Sequence, residues 1–92
     1  MAGSITDSIV AHVAADSLSR REAEVLRHAA GGLSNKLIGA HLDISEQTVK
    51  AHMKSVLSKL GARDRTHAVT LALTRGIIEL EDATASRQFD RP

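Results

Sequence analysis

Lys50 and Lys54 sit one helical turn apart in the stretch "SEQTVKAHMKSVLSKL", residues 45–60, and no carboxylate shares their side of it. An ammonium group donates hydrogen bonds and accepts none. Two of them aimed the same way suit phosphate oxygens, guanine O6 and N7, or the carboxylates of an acidic protein. At about 3.6 residues per turn, Gln47, Lys50, Ala51, Lys54 and Ser58 fall on one side of a helix, and Val49, Met53, Val56, Leu57 and Leu60 form an apolar stripe on the other. A lysine pair on a helix is by itself a solubilising feature, but a merely solvated face usually mixes its signs, with Glu four residues ahead of Lys. His52 falls between the two faces. No nucleophile beside a base, no carboxylate pair and no phosphate-binding loop is found, so no catalytic residue is assigned and an enzyme is not expected. Cysteine is absent, and His12, His28, His41 and His67 stand on separate segments without i, i+4 spacing, so neither a metal site nor a cofactor is expected.

Presenting such a face takes a bounded helix with partners behind it. Ser45 can accept from the free N–H groups of the first turn, Glu46 suits the positive end of the helix dipole, and Gly61 can supply a left-handed terminus. Upstream, "SLSRREAEVLRHAAGG" predicts a helix with an S-x-x-E capping box at Ser19 and Glu22, an inward stripe of Val25, Leu26 and Ala29, and a stop at Gly31 and Gly32. "LSNKLIGAHLDIS" predicts a helix of barely two turns, capped by Ser34, with Ile38 and Leu42 inward. Gly39 leaves it bare where another helix can press close, and Asp43 and Ile44 lead on to Ser45. "RDRTHAVTLALTRGIIEL" predicts a fourth helix from about Asp64 to Arg75, ended by Gly76, with Ala68, Val69, Ala72 and Leu73 apolar. Asp64, Arg65 and Thr66 are expected to begin it, their charges pairing locally.

The expected fold is therefore all-α: four helices with an N-terminal linker helix, and no strand or internal repeat. Residues 5–15, "ITDSIVAHVAA", carry Ile5, Ile9 and Val13 four apart beside Val10 and predict a short amphipathic helix or linker. The opening "MAGS" is expected to be a vector-derived remnant. The division expected is a leader and linker at 1–17, a single helical domain at 18–80 and a flexible polar tail at 81–92.

Composition narrows the functions such a face can serve. A chain of 92 residues suits one small domain, which buries only roughly 60–65% of its unfolded surface and leaves little room for a large cleft. Aromatic content is 1%, Phe89 alone, so aliphatic side chains must form the core and no set of rings can stack on single-stranded bases. No apolar run is long enough to span a bilayer and no signal-peptide pattern opens the chain, so a cytoplasmic protein is expected. Net charge is only +1, but it is unevenly spread: Lys36, Lys50, Lys54, Lys59 and Arg63 stand against Asp43 and Glu46 in the middle, and Glu79, Glu81, Asp82 and Asp90 gather near the end. That asymmetry fits a polyanion-binding surface on a nearly neutral domain.

Two helices joined by a three-residue turn, the second capped and cationic, follow the helix-turn-helix plan. A helix about 10–12 Å across fits the major groove of B-DNA, where residues in its N-terminal half reach base edges. On that geometry Lys50, Ala51 and Lys54 face the bases, with Gln47 nearby; lysine can donate to guanine, and the Ala51 methyl can touch a thymine methyl.

The phrases "REAEVL", "GLSNK", the run from Ile44 to His52, "KLGARDRT" and "RGII", in this order and spacing, resemble the LuxR-type helix-turn-helix domain, the effector domain of NarL/FixJ-class bacterial response regulators. The resemblance runs from about Leu18 to Leu80. It implies a four-helix domain whose third helix enters the major groove and whose fourth often mediates dimerisation on DNA. It places Lys50, Ala51 and Lys54 at base-contacting positions and implies phosphate contacts from Lys36, Asn35, Thr48, His52 and Ser58. It implies a dimer surface at Thr66, Val69 and Leu73, although Val69 and Leu73 can equally be core. The chain departs from the family pattern at Leu37 and Gly39, where Glu and Ala are common. A glycine inside so short a helix costs roughly 0.5–1 kcal/mol against alanine, so a close approach is expected to compensate.

The expected function is a sequence-specific regulator of transcription bound to double-stranded DNA, a homodimer on DNA, with RNA polymerase as a further partner and the nucleoid as its location. The alternative is a helical module that uses the same basic face for an acidic protein. The resemblance also implies a phosphate-accepting receiver domain ahead of this module, for which the first seventeen residues have no room. The chain is therefore expected to be an effector domain cut from a longer regulator, with a stand-alone member as the other reading.

Overall fold

A computed structural model describes residues 18–82, which carry four helices: α1, Arg20–Ala30; α2, Asn35–Leu42; α3, Glu46–Leu60; and α4, Arg65–Thr74. Each begins at a side chain that accepts an otherwise unpaired N–H of the first turn: Ser19 from Glu22, Ser34 from Leu37, Ser45 from Thr48 and Asp64 from His67. At Ser19 the bond is returned, because the Glu22 carboxylate accepts from the Ser19 N–H at 2.8 Å and completes the capping box. Gly61 ends α3 in the left-handed region, φ 69°. No strand occurs among the described residues. Residues 80–82 are helical, with the Asp82 carboxylate accepting from the Glu79 N–H at 2.9 Å. The predicted linker helix at 5–15, the leader and the tail from residue 83 lie outside the described residues.

The core has one axis, α3, against which α1, α2 and α4 all pack. Val49, Met53, Val56 and Leu60 are buried along its back and meet Val25 and Leu26 of α1, Ile38 of α2, and Ala68 and Ala72 of α4, with Ile78 closing the cluster. The two alanines have no bulk to hold α4 away from α3. Each fully buried Val, Leu or Ile contributes roughly 1.5–3 kcal/mol, so the back of α3 is held while its front takes no part in folding.

The turn between α2 and α3 is tight. Asp43 adopts the left-handed conformation, φ 57°, and the Ile44 N–H donates back to the Gly39 carbonyl at 2.9 Å. A Cβ on residue 39 would lie 2.7 Å from the Ile44 carbonyl oxygen. The expected close approach at Gly39 is therefore present, but the turn's backbone makes it and not the body of a helix. Gly39→Ala is expected to destabilise by about 1 kcal/mol in urea unfolding, because displacing a backbone carbonyl costs more than the helix propensity returns.

Long side chains close the ends of the helices. Arg75 donates to the Leu60 carbonyl at 3.2 Å and Arg21 to the Leu42 carbonyl at 3.5 Å, each serving the C-terminus of a neighbouring helix. The local pairing expected for Asp64 and Arg65 does not form. Asp64 caps α4, while the Arg65 guanidinium crosses to the start of α2 and donates to the Leu33 carbonyl and to Asn35.

Candidate nucleic-acid interface

Gln47, Lys50, Ala51, Lys54 and Ser58 are all exposed on the front of α3. They lie along about 16 Å of helix, at a rise of about 1.5 Å per residue. The next turn of the motif adds Lys36, exposed near the start of α2. Lys36, Lys50 and Lys54 take part in no ion pair among the described residues, and neither does Arg63, exposed in the loop after α3. The other cations of the basic middle are occupied. Lys59 lies 2.8 Å from the Glu22 carboxylate and is neutralised as a surface charge, and Arg65 is spent on the α1–α2 connection. The positive surface is thus narrower than a count of basic residues suggests, and it is centred on α3.

The phosphate-contact candidates are less uniform. Thr48 is exposed, but its hydroxyl shares a 2.8 Å hydrogen bond with the Ser45 hydroxyl at the cap. His52 is half-buried at the edge of the apolar stripe. Asn35 is half-buried too, and its carbonyl oxygen accepts from Arg65. Leu37 is 49% exposed, an apolar side chain on the outer face of α2. Of the dimer candidates, Thr66 is exposed, whereas Val69 and Leu73 are half-buried and pack on the core with part of each side chain. On α4 the Thr70 and Thr74 hydroxyls donate to the carbonyls of Thr66 and Thr70 at 3.1 and 2.8 Å, so two of that face's polar groups are already bonded.

One juxtaposition has no signal in the sequence. The rings of His28, in the last turn of α1, and His41, in the last turn of α2, lie 5.4 Å apart between centroids. No group of three or more His, Cys, Asp or Glu residues is placed to hold a metal ion among the described residues. Burial, and then the nearby His41, push the His28 pKa below its ordinary value, against an opposing pull from Glu24. The unfolded chain therefore binds this proton more readily, so the domain should lose stability as the pH falls below about 6.5. Thermal melting at pH 7.5 and 5.5 is expected to show that loss, and to show less of it in His28→Gln.

The bacterial regulatory proteins of the luxR family, GerE, match residues 16–72. The chain is 43% identical over 65 residues to the transcriptional regulatory protein YdfI of Bacillus subtilis (strain 168), covering 71% of this chain and 30% of that one. It is 44% identical over 63 residues to the transcriptional regulatory protein DegU of Brevibacillus brevis, covering 68% and 27%. It is 52% identical over 56 residues to the nitrate/nitrite response regulator protein NarP of Escherichia coli (strain K12), covering 61% and 26%. The chain thus spans less than a third of the length of these relatives. No solved structure matches it. With the capped helix pair, the tight turn and the family match in agreement, the chain belongs to the luxR family of bacterial regulatory proteins, as a DNA-binding helix-turn-helix domain and not an enzyme.

Proposed function

We propose that this domain binds double-stranded DNA sequence-specifically, with α3 in the major groove, as the effector part of a bacterial response regulator that acts on promoters. One observation carries the reading: α3 buries Val49, Met53, Val56 and Leu60 along its back and leaves Gln47, Lys50, Ala51 and Lys54 exposed, with both lysines free of ion pairs among the described residues. Lys50, Ala51 and Lys54 read bases, with Gln47 beside them, while Asn35, Lys36, Thr48, His52 and Ser58 contact phosphates. Two copies associate on DNA through Thr66, Val69 and Leu73 of α4. That spaces their recognition helices by about 34 Å, one turn of duplex, over paired half-sites. The NarP relative is by name a response regulator, which supports a place downstream of a receiver domain. RNA polymerase is the further partner, and the bacterial cytoplasm and nucleoid the location; no helix among the described residues is long and apolar enough to cross a membrane.

Selection from a randomised duplex pool, followed by footprinting, tests this directly. The expected result is a recurrent pair of short half-sites bound roughly 10³-fold or more above random duplex. Equal binding to random duplex and to an acidic polypeptide would point to an acidic-protein module instead.

A further inference from the structure

The geometry points to Arg65 as a positioning residue for DNA binding: it holds the Asn35 carboxamide so that the NH2 group, not the carbonyl, is offered to the phosphodiester backbone. This rests on the reading of Asn35 as a phosphate contact. Asn35 opens α2 and Arg65 opens α4, 30 residues further along. One end of the guanidinium donates to Asn35 Oδ1 at 2.5 Å and the other to the Leu33 carbonyl, so both arms of the fork are engaged.

A carboxamide is an acceptor and a donor of nearly the same shape, and half a turn about its last bond exchanges them. Phosphate oxygens only accept, so one orientation attracts the backbone and the other repels it. Free in water, Asn35 would sample both. The guanidinium carries N–H donors and no acceptor, so it can bond Oδ1 alone; a flipped amide would set N–H against N–H. The second bond, to Leu33, keeps the fork from swinging away to accommodate that flip. Asn35 Nδ2, which has no partner among the described residues, is then the donor left over. The positive charge at Oδ1 also polarises the amide and makes Nδ2–H a better donor. Lys36, next in the chain and exposed, contacts the same backbone in the reading above.

Fluorescence anisotropy with the duplex recovered from the randomised pool tests the assignment. The proteins are the 92-residue chain and its Asn35→Ala, Arg65→Gln, Arg65→Lys and Asn35→Ala/Arg65→Gln variants, each checked by thermal melting. Asn35→Ala and Arg65→Gln are each expected to weaken binding about fivefold to tenfold, and the double variant no further than the weaker single. Arg65→Lys keeps the charge but not the fork, and should bind as poorly as the glutamine variant with an unchanged salt slope. Should Arg65→Gln melt below the assay temperature, Arg65→Lys decides, together with the side-chain amide NMR signal of Asn35, which is expected to shift in that variant. Multiplying losses in the double variant, wild-type affinity in a folded Arg65 variant, or an unmoved Asn35 amide signal overturns the proposal. Wild-type affinity in Asn35→Ala overturns the Asn35 contact and this assignment while leaving the operator intact. A pool without a preferred duplex overturns the parent reading itself.

Discussion

Replacing Glu22 by alanine is expected to lower the unfolding free energy by about 3 kcal/mol at neutral pH, measured by urea titration. Glu22 is 6% exposed, the only charged residue in the described core. Its carboxylate accepts from the Ser19 N–H and from Lys59 Nζ, both at 2.8 Å, while its own N–H donates to Ser19 Oγ at 3.0 Å. Alanine removes the returning half of the capping box and the link from α1 to α3 together. The loss stays at the lower edge of the range for broken buried pairs because the Lys59 side chain is 36% exposed and can return to water. Glu22→Gln keeps an acceptor for Ser19 and should cost about half as much.

The same residue sets an acid limit. Burial alone would raise the Glu22 pKa, but hydrogen bonds from Lys59, Ser55 and the Ser19 backbone overcome it and lower it from 4.5 to about 2. A carboxylate held below its unfolded value contributes stability above the unfolded pKa and loses it as the pH falls through the folded one. Between pH 4.5 and 2 the domain should therefore lose about 2–3 kcal/mol from this group, after allowance for water around Lys59. Glu22→Gln should lack that part of the loss. Parallel acid curves for the two proteins would trace the sensitivity to other groups.

What was legible from the chain alone is what local chemistry decides. Ser19, Ser34 and Ser45 cap the helices they were expected to cap, and the aliphatic stripe of α3 turned inward, because a first-turn acceptor and a 3.6-residue period act within a few positions of themselves. Asp64 begins α4 as expected, and does so by capping it, but Arg65 does not pair with it. Its partners, Leu33 and Asn35, are brought near by the packing of α4 against the rest of the bundle, which no window around residue 65 contains. Lys59 counts among the cations of the basic middle of the chain, and its neutralising partner is hidden for the same reason: Glu22 lies 37 positions earlier. The exposed front of α3 escaped this difficulty because it needed no distant partner, only the absence of one.

That absence makes the lysines of the front separable from stability. Lys54→Ala should leave thermal unfolding within about 0.5 kcal/mol of wild type, since an exposed lysine with no ion pair has little to lose. On the selected duplex the same change should remove roughly 1–3 kcal/mol of binding and relax preference at one base position, because the ammonium group discriminates by donating to base edges. Lys36→Ala should behave differently. Near the start of α2 it meets phosphates, whose positions repeat whatever the sequence. It should weaken all duplexes alike and reduce the slope of log affinity against log salt by about one. Salt dependence without base dependence at Lys36, and base dependence at Lys54, would separate anchor from reader on one domain. The reverse pattern would mean that α2 enters the groove and α3 rides on the backbone. Lys50→Ala/Lys54→Ala together should bring selected and random duplex close to equal affinity in a protein that still melts as wild type. Loss of preference without loss of fold is the signature of a recognition surface that takes no part in holding the domain together.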